Sequence, residues 1–169
     1  MSRVFTDPMV QAANDAGCIF YSDPATLTPG MIDPLLRDAV AKINASGWVW
    51  TAESCQGHPD FGLVDVHTAW EHNTRPMLRL VCRADHAGSM LVALTRSACD
   101  PITDVLTPIE EETDLRLSRY PQGLELWPNE RRNGWYEVLA YFQAGNVAMR
   151  DLGCLRFARF AALVCKEKP

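Results

Sequence analysis

The chain has 169 residues, 47% of them hydrophobic and 22% charged, a composition that excludes wholesale disorder and leaves room to bury a core without disulfide or metal staples. Sixteen lysines and arginines against 21 aspartates and glutamates give a net charge of −5, which argues against extended binding along nucleic acid, where a basic excess is the rule. There is no run of about 18 apolar residues to span a membrane and no secretion signal in "MSRVFTDPMVQAANDAG", so the six dispersed cysteines are expected to be reduced thiols in a cytoplasmic protein.

Residues 1–30 carry turn formers ("SDPATLTPG") and little periodicity, and read as a loosely organised lead-in with one short helix near Met9 to Ala16. "DPLLRDAVAKINASG" then predicts a helix. Asp33 suits its cap, Pro34 its first position and Gly47 its end, while Leu36, Ala39, Val40 and Ile43 share one face. "WVWTA" predicts a strand over about Trp48 to Ala52, followed by the polar loop "ESCQGHPD". Two more strands are expected in "GLVDVHTAW" and "PMLRLVCRA". Asp85 is placed to cap a helix over "HAGSMLVALTRSAC", with Met90, Leu91, Leu94 and Ala98 in a stripe.

"ITDVLT" is a further candidate strand, and Glu110, Glu111, Glu112 and Asp114 read as a solvated edge. "LRLSRYPQGLELW" has the pattern of a hairpin turning at Pro121-Gln122-Gly123. Asn133 is read as the cap of a long helical region from Gly134 onward, weakened at Gly153. Its last part, residues 154–165, places Cys154, Phe157, Ala161, Val164 and Cys165 on one face, with Leu155 and Leu163 on others. A helix so broadly apolar is packed on more than one side or meets a second copy of the chain. The expected architecture is α+β, a single domain over 31–169 with a largely antiparallel sheet covered by helices.

Chemistry concentrates after the first strand. Cys55 and His58, with Cys82 and His86, offer the thiolate and imidazole types of a four-ligand zinc set. The reading adopted has no metal, because Cys82 lies in an apolar alternation that points it at the core. A nucleophilic Cys55 needs a base held by a third group, and "SCQG" lacks the flanking glycines of a nucleophile elbow. A ligand-cradling turn fits better. Gly57 permits close backbone approach, successive N–H groups can form an anion-binding concavity, and Ser54, Gln56 and His58 add donors. The alternative is a polar surface turn. Two further segments have the composition of a base-stacking surface: Trp70, His72 and Arg75, and Arg131 and Arg132 beside Trp127, Trp135 and Tyr136. Arg150, Arg156 and Arg159 are a candidate basic patch.

The order of elements and three short motifs resemble the methyltransferase family that acts late in tRNA wybutosine synthesis. Thr51, Ser54, Cys55 and Gly57 match that family's loop segment, Cys82-Arg83 its strand-ending pair, and Gly123-Leu124-Glu125 its hairpin strand. His58, Glu53 and Arg79 stand where the family has arginine, serine and histidine. The resemblance implies an α+β fold, S-adenosylmethionine as cofactor and a modified purine as substrate. Joined to the turn reading, it leads to the expectation of a nucleotide-like small ligand. Ser54, Gln56, Gly57 and His58 would contact it, Arg79 and Arg83 would supply charge, and Glu53 or His58 would serve as base in methyl transfer. The alternative class is a non-catalytic assembly protein that self-associates through residues 154–165.

Overall fold

In the computed structural model, which describes residues 4–58, 75–99, 118–119, 123–128 and 133–169, the chain begins with helix α1 (Pro8–Asp15), helix α2 (Arg37–Ala45), strand β1 (Val49–Cys55) and strand β2 (Met77–Arg83). Helix α3 (Ala87–Ala98), strands β3 (Ser118–Arg119), β4 (Leu124–Pro128) and β5 (Trp135–Phe142), and helix α4 (Val147–Lys166) follow. The strands form one antiparallel sheet in the order β1-β2-β5-β4-β3, the expected α+β architecture. The predicted strands at 62–70 and 102–107 and the acidic run at 110–114 lie outside the described residues. Among the described residues no helix is long and apolar enough to cross a membrane.

Local chemistry explains most boundaries. Asp7 accepts from the Met9 N–H at 2.8 Å and Pro8 occupies the first position of α1, relieving one of the orphan donors of a helix start. Two other expected caps are not made. Pro34–Leu36 and Ala84–His86 each form a 3-10 turn ahead of the α-helix, without a side-chain cap. Asp33 turns away to accept from the Gln56 N–H at 2.9 Å, and Asp85 pairs with Arg83 at 3.4 Å.

The largest departure from expectation is at 133–146. Asn133 does not cap a helix; it and Gly134 both have positive φ, +47° and +85°, left-handed backbone in place of the extended conformation of a helix cap. Trp135–Phe142 then pairs with both β2 and β4, burying Tyr136, Val138, Ala140 and Phe142 against the helices. Aromatic and β-branched residues at period two outweigh the helical reading of this stretch. The C-terminal helix starts instead after Asn146, whose side chain accepts from the Met149 N–H at 2.9 Å.

One sheet face carries the main core: Leu78, Leu80, Cys82 and Phe142 meet Val40 and Ile43 of α2, Met90 and Leu94 of α3, and Phe157 and Phe160 of α4. α4 packs against both α2 and α3. The opposite face has its own cluster, in which Phe5, Val10, Ala13, Cys18 and Phe20 cover Trp50, Ala52, Val81 and Trp135. Asp7 Oδ2 also accepts from the Trp50 indole at 3.1 Å. Residues 5–20 are therefore part of the packed domain rather than a loose lead-in.

Gly153 does not weaken α4, which is continuous across it. A Cβ there would lie 2.5 Å from Pro76 Cγ and 3.0 Å from Phe142 Cβ, so the missing side chain is what seats the helix on the sheet. Helix propensity alone favours alanine by about 1 kcal/mol, but overpacking costs about 1–3 kcal/mol, and here the contacts are a proline ring and a buried phenylalanine. Gly153→Ala is expected to lower the urea midpoint with an unchanged m-value; a variant as stable as the parent would show that α4 can shift at no cost.

Candidate functional site

The strand extends further than its composition suggests. β1 runs to Cys55, so Glu53, Ser54 and Cys55 are strand residues, and only Gln56, Gly57 and His58 form the described turn. A bulge between Thr51 and Glu53 sets Glu53 opposite Arg79 and Cys55 opposite Met77. Beyond the strand, Gly57 has φ +82° and is buried, a conformation that suits glycine alone without strain.

Both neighbouring elements hold this turn. From α4, the Arg150 guanidinium donates to the Gly57 carbonyl at 2.9 Å and the Cys154 thiol to the Gln56 carbonyl at 3.6 Å. From the Pro34–Leu36 turn, Asp33 accepts the Gln56 N–H, and the Leu35 N–H donates to Gln56 Oε1 at 3.2 Å. The Gly57 N–H points to Cys55 Sγ at 3.5 Å. The N–H groups that sequence reasoning offered to an anion are thus engaged within the protein.

The expected cations are also committed. Arg79 donates to Glu53 at 3.1 Å and to Glu137 at 3.0 Å, and these two carboxylates outweigh its burial and raise its pKa further. Arg83 lies at the far end of β2, opposite Trp135, exposed and paired with Asp85. It is not brought to the turn. The four-ligand zinc set is not assembled either: Cys82 is buried opposite Val49, at the other end of the β1–β2 ladder from Cys55. His86 sits edge-on to Trp48 with ring centroids 6.0 Å apart.

The proposed basic patch and aromatic surface are likewise dispersed. Arg150 is buried, and Arg156 lies over the Phe142 ring at 5.5 Å. Trp135 and Tyr136 are core residues, and Arg75 pairs with Glu125 and covers Tyr141. Trp70, His72, Arg131 and Arg132 lie outside the described residues. Within 154–165, Cys154, Phe157, Ala161 and Val164 face the core as expected, whereas Cys165 is exposed; Val147, Met149, Leu152 and Leu155 are the large apolar side chains that α4 leaves outward.

What the fold does bring together is Asp33, Cys55 and His58. One ligating atom from each lies within 4.8 Å of the others, and His58 Nε2 is 3.8 Å from Asp33 Oδ2. All three are half-buried. Burial pushes the Cys55 thiol up, Asp33 and Glu53 push it the same way, and the Gly57 N–H only partly opposes them. At neutral pH Cys55 is a thiol rather than the thiolate a nucleophile requires. Asp33 escaped sequence reasoning because its position before proline was accounted for by capping, and nothing local ties it to a turn more than twenty residues away.

Two adjoining cavities open beside β1 and share Leu27 and Ile32. One, of about 320 Å³, lies between the N-terminal segment and α2 and is lined by Asp7, Asn44 and Trp50 among others. The other, of about 150 Å³, is bordered by Tyr21, Met31, Glu53 and Ser54. The described residues that line them include Asp7 and Glu53 but no lysine or arginine. Comparison of the chain with protein-family models, with characterised proteins and with solved structures gives no match.

Two outcomes follow. Alkylation by iodoacetamide, followed by peptide mass spectrometry, should modify exposed Cys165 first and Cys55 later, with Cys55 accelerating as pH rises. Cys82 and Cys154, both pushed up to about 12 chiefly by burial, should stay unmodified until the chain unfolds. Fast alkylation of Cys55 at neutral pH would restore the nucleophile reading. Arg79→Met should cost about 3 kcal/mol in urea denaturation by leaving Glu137 buried and unpaired, and adding Glu137→Gln should recover much of it. Additive losses would mean that the two side chains are uncoupled.

Proposed function

We propose that the protein binds a small nucleotide-like ligand beside β1, with the base and sugar in the two adjoining cavities and any phosphate directed away from the 55–58 turn. The observation that carries this reading is the pair of cavities itself. Their volumes suit a base and a sugar, and concave sites that combine apolar walls with polar groups are where small molecules bind. Tyr21 and Met31, both 59% exposed, flank the opening and offer flat apolar surface to a base. Glu53 and Ser54 supply hydrogen-bonding groups at its edge.

Electrostatics selects within the class. The ionised groups of the lining are carboxylates, and the turn's own N–H groups are engaged, so a triphosphate would meet repulsion where a nucleoside would not. The same acidity suits a cationic ligand. S-adenosylmethionine, the cofactor implied by the wybutosine-family resemblance, therefore belongs in the same test, with Glu53, which lines the smaller cavity, the candidate base. Gln56, Gly57 and His58, expected to touch this ligand, and Arg79 and Arg83, expected to charge its surroundings, are assigned no contact with it. A reducing, cytoplasmic setting fits the free cysteines.

The test is a thermal-shift series with nucleosides, their mono- and triphosphates, and S-adenosylmethionine. A ligand at a hundredfold over its Kd stabilises by about 2.7 kcal/mol, roughly 5–10 °C for a chain of this size. Nucleosides are expected to exceed the corresponding triphosphates. Ala41→Trp, which places a bulky ring at an exposed lining position on α2, should abolish the shift while leaving the unliganded protein folded. An unresponsive protein, or an Ala41→Trp variant that responds like the parent, would dispose of the reading.

A further inference from the structure

We propose that Asp33, Cys55 and His58 form a three-ligand site for a zinc ion, with water as the fourth ligand. The site is independent of any ligand in the neighbouring cavities.

The donor set comes first. One thiolate, one imidazole and one carboxylate are a combination that zinc accepts and that magnesium and calcium, which favour all-oxygen surroundings, do not. Ionised Asp33 and Cys55 with neutral His58 bring two negative charges, matching a divalent cation.

Geometry comes second. Tetrahedral zinc with its usual bond lengths sets pairs of ligating atoms roughly 3.3–3.6 Å apart. His58 Nε2 and Asp33 Oδ2 stand at 3.8 Å, and all three ligating atoms lie within 4.8 Å of one another. Cys55 and His58 are separated by Gln56 and buried, left-handed Gly57, a short spacing that lets both ligating atoms converge with that of Asp33.

The third argument is the support around the ligands. Asp33 is oriented by the Gln56 N–H at 2.9 Å, the kind of outer hydrogen bond that aims a carboxylate ligand. Arg150 and Cys154 fix the intervening carbonyls from α4. The Arg150 cation is itself offset by Asp151, at 2.7 Å, which moderates its repulsion of an ion. Asp33 and His58 side chains are 31% and 30% exposed, so water reaches the fourth position. Three protein ligands with an open fourth are the arrangement of exchangeable and catalytic zinc rather than of closed structural zinc.

Binding is a proton exchange. A zinc–sulfur bond forms as the Cys55 S–H bond breaks, the proton goes to solvent, and zinc gives up bound waters to the three protein ligands. There is no change of oxidation state. Because zinc binds the thiolate, binding displaces the thiol proton, and affinity should rise with pH as that proton becomes easier to displace.

The experiment uses the full chain, stripped with chelator and titrated with cobalt(II) and then zinc(II). The expected result is one equivalent of cobalt with the intense visible bands of a tetrahedral site and a sulfur-to-cobalt charge-transfer band, bleached by zinc. Calorimetry in buffers of different ionisation enthalpy should report about one proton released per zinc when His58 starts neutral. Cys55→Ser should remove the charge-transfer band, and His58→Ala and Asp33→Asn should each weaken zinc binding at least roughly tenfold to a hundredfold. Cys165→Ser, at an exposed thiol elsewhere, should change neither. Wild-type spectra and affinity in Cys55→Ser would overturn the site.

A second measurement needs no variant. Zinc should protect Cys55, but not Cys165, from alkylation in the wild-type chain. Equal Cys55 rates with and without zinc would refute the proposal even if a variant failed to fold. A nucleoside panel without response would leave this result untouched, so failure of one reading is distinguishable from failure of the other.

Discussion

Arg150 reaches the Gly57 carbonyl because α4 lies against Pro76 and Phe142 with no side chain between them. That close approach at Gly153 places the first turns of α4 directly beneath the end of β1, where Cys154 also meets the Gln56 carbonyl. The turn that follows Cys55 and carries His58 is therefore set by the seating of a helix distant in sequence. Asp33 completes the arrangement from a third segment, through the Gln56 N–H. Loops positioned by rigid scaffolds are the usual carriers of function, and this one is fixed from two sides.

Much of the scaffold is legible in the sequence, because α1, α2, α3, the start of β1, β2 and the β3–β4 pair rest on local periodicity and turn chemistry. The stretch 134–142 is not, because Asn133-Gly134 fits two local roles, helix cap and hairpin turn. What decides between them is the empty place between β2 and β4, which no local window contains. The same blindness hides Asp33: a carboxylate before proline reads as a cap, and its actual partner is the backbone of Gln56. Cys55 and His58 are legible as chemistry-bearing residues, but their third companion is supplied only by the fold. Cys82, His86 and Arg83 are excluded as companions by strand register, since antiparallel pairing carries them to the opposite end of the ladder.

The distribution of donors and acceptors separates this turn from an anion site. A phosphate loop leaves its N–H groups pointing outward. Here those of Gln56 and Gly57 are taken by Asp33 and Cys55, and the nearest guanidiniums are bound to carboxylates or a carbonyl. The side chains grouped near the strand end, Asp33, Cys55, His58 and Glu53, bring no free cation to an anion there.

β1 is tied to α4 at both of its ends. The Trp48 indole donates to the Val164 carbonyl at 2.9 Å near the helix C-terminus, and the Gly57 carbonyl accepts from Arg150 near its N-terminus. The two elements therefore have matched lengths between those ties. Losing one residue from the helix between them would swing one tie about 100° around the axis, and losing one from the strand would turn its side chains to the opposite face. Insertions and deletions in β1 and α4 are tolerable only as compensated pairs, while the connection leaving the turn at His58 is under no such constraint from these ties.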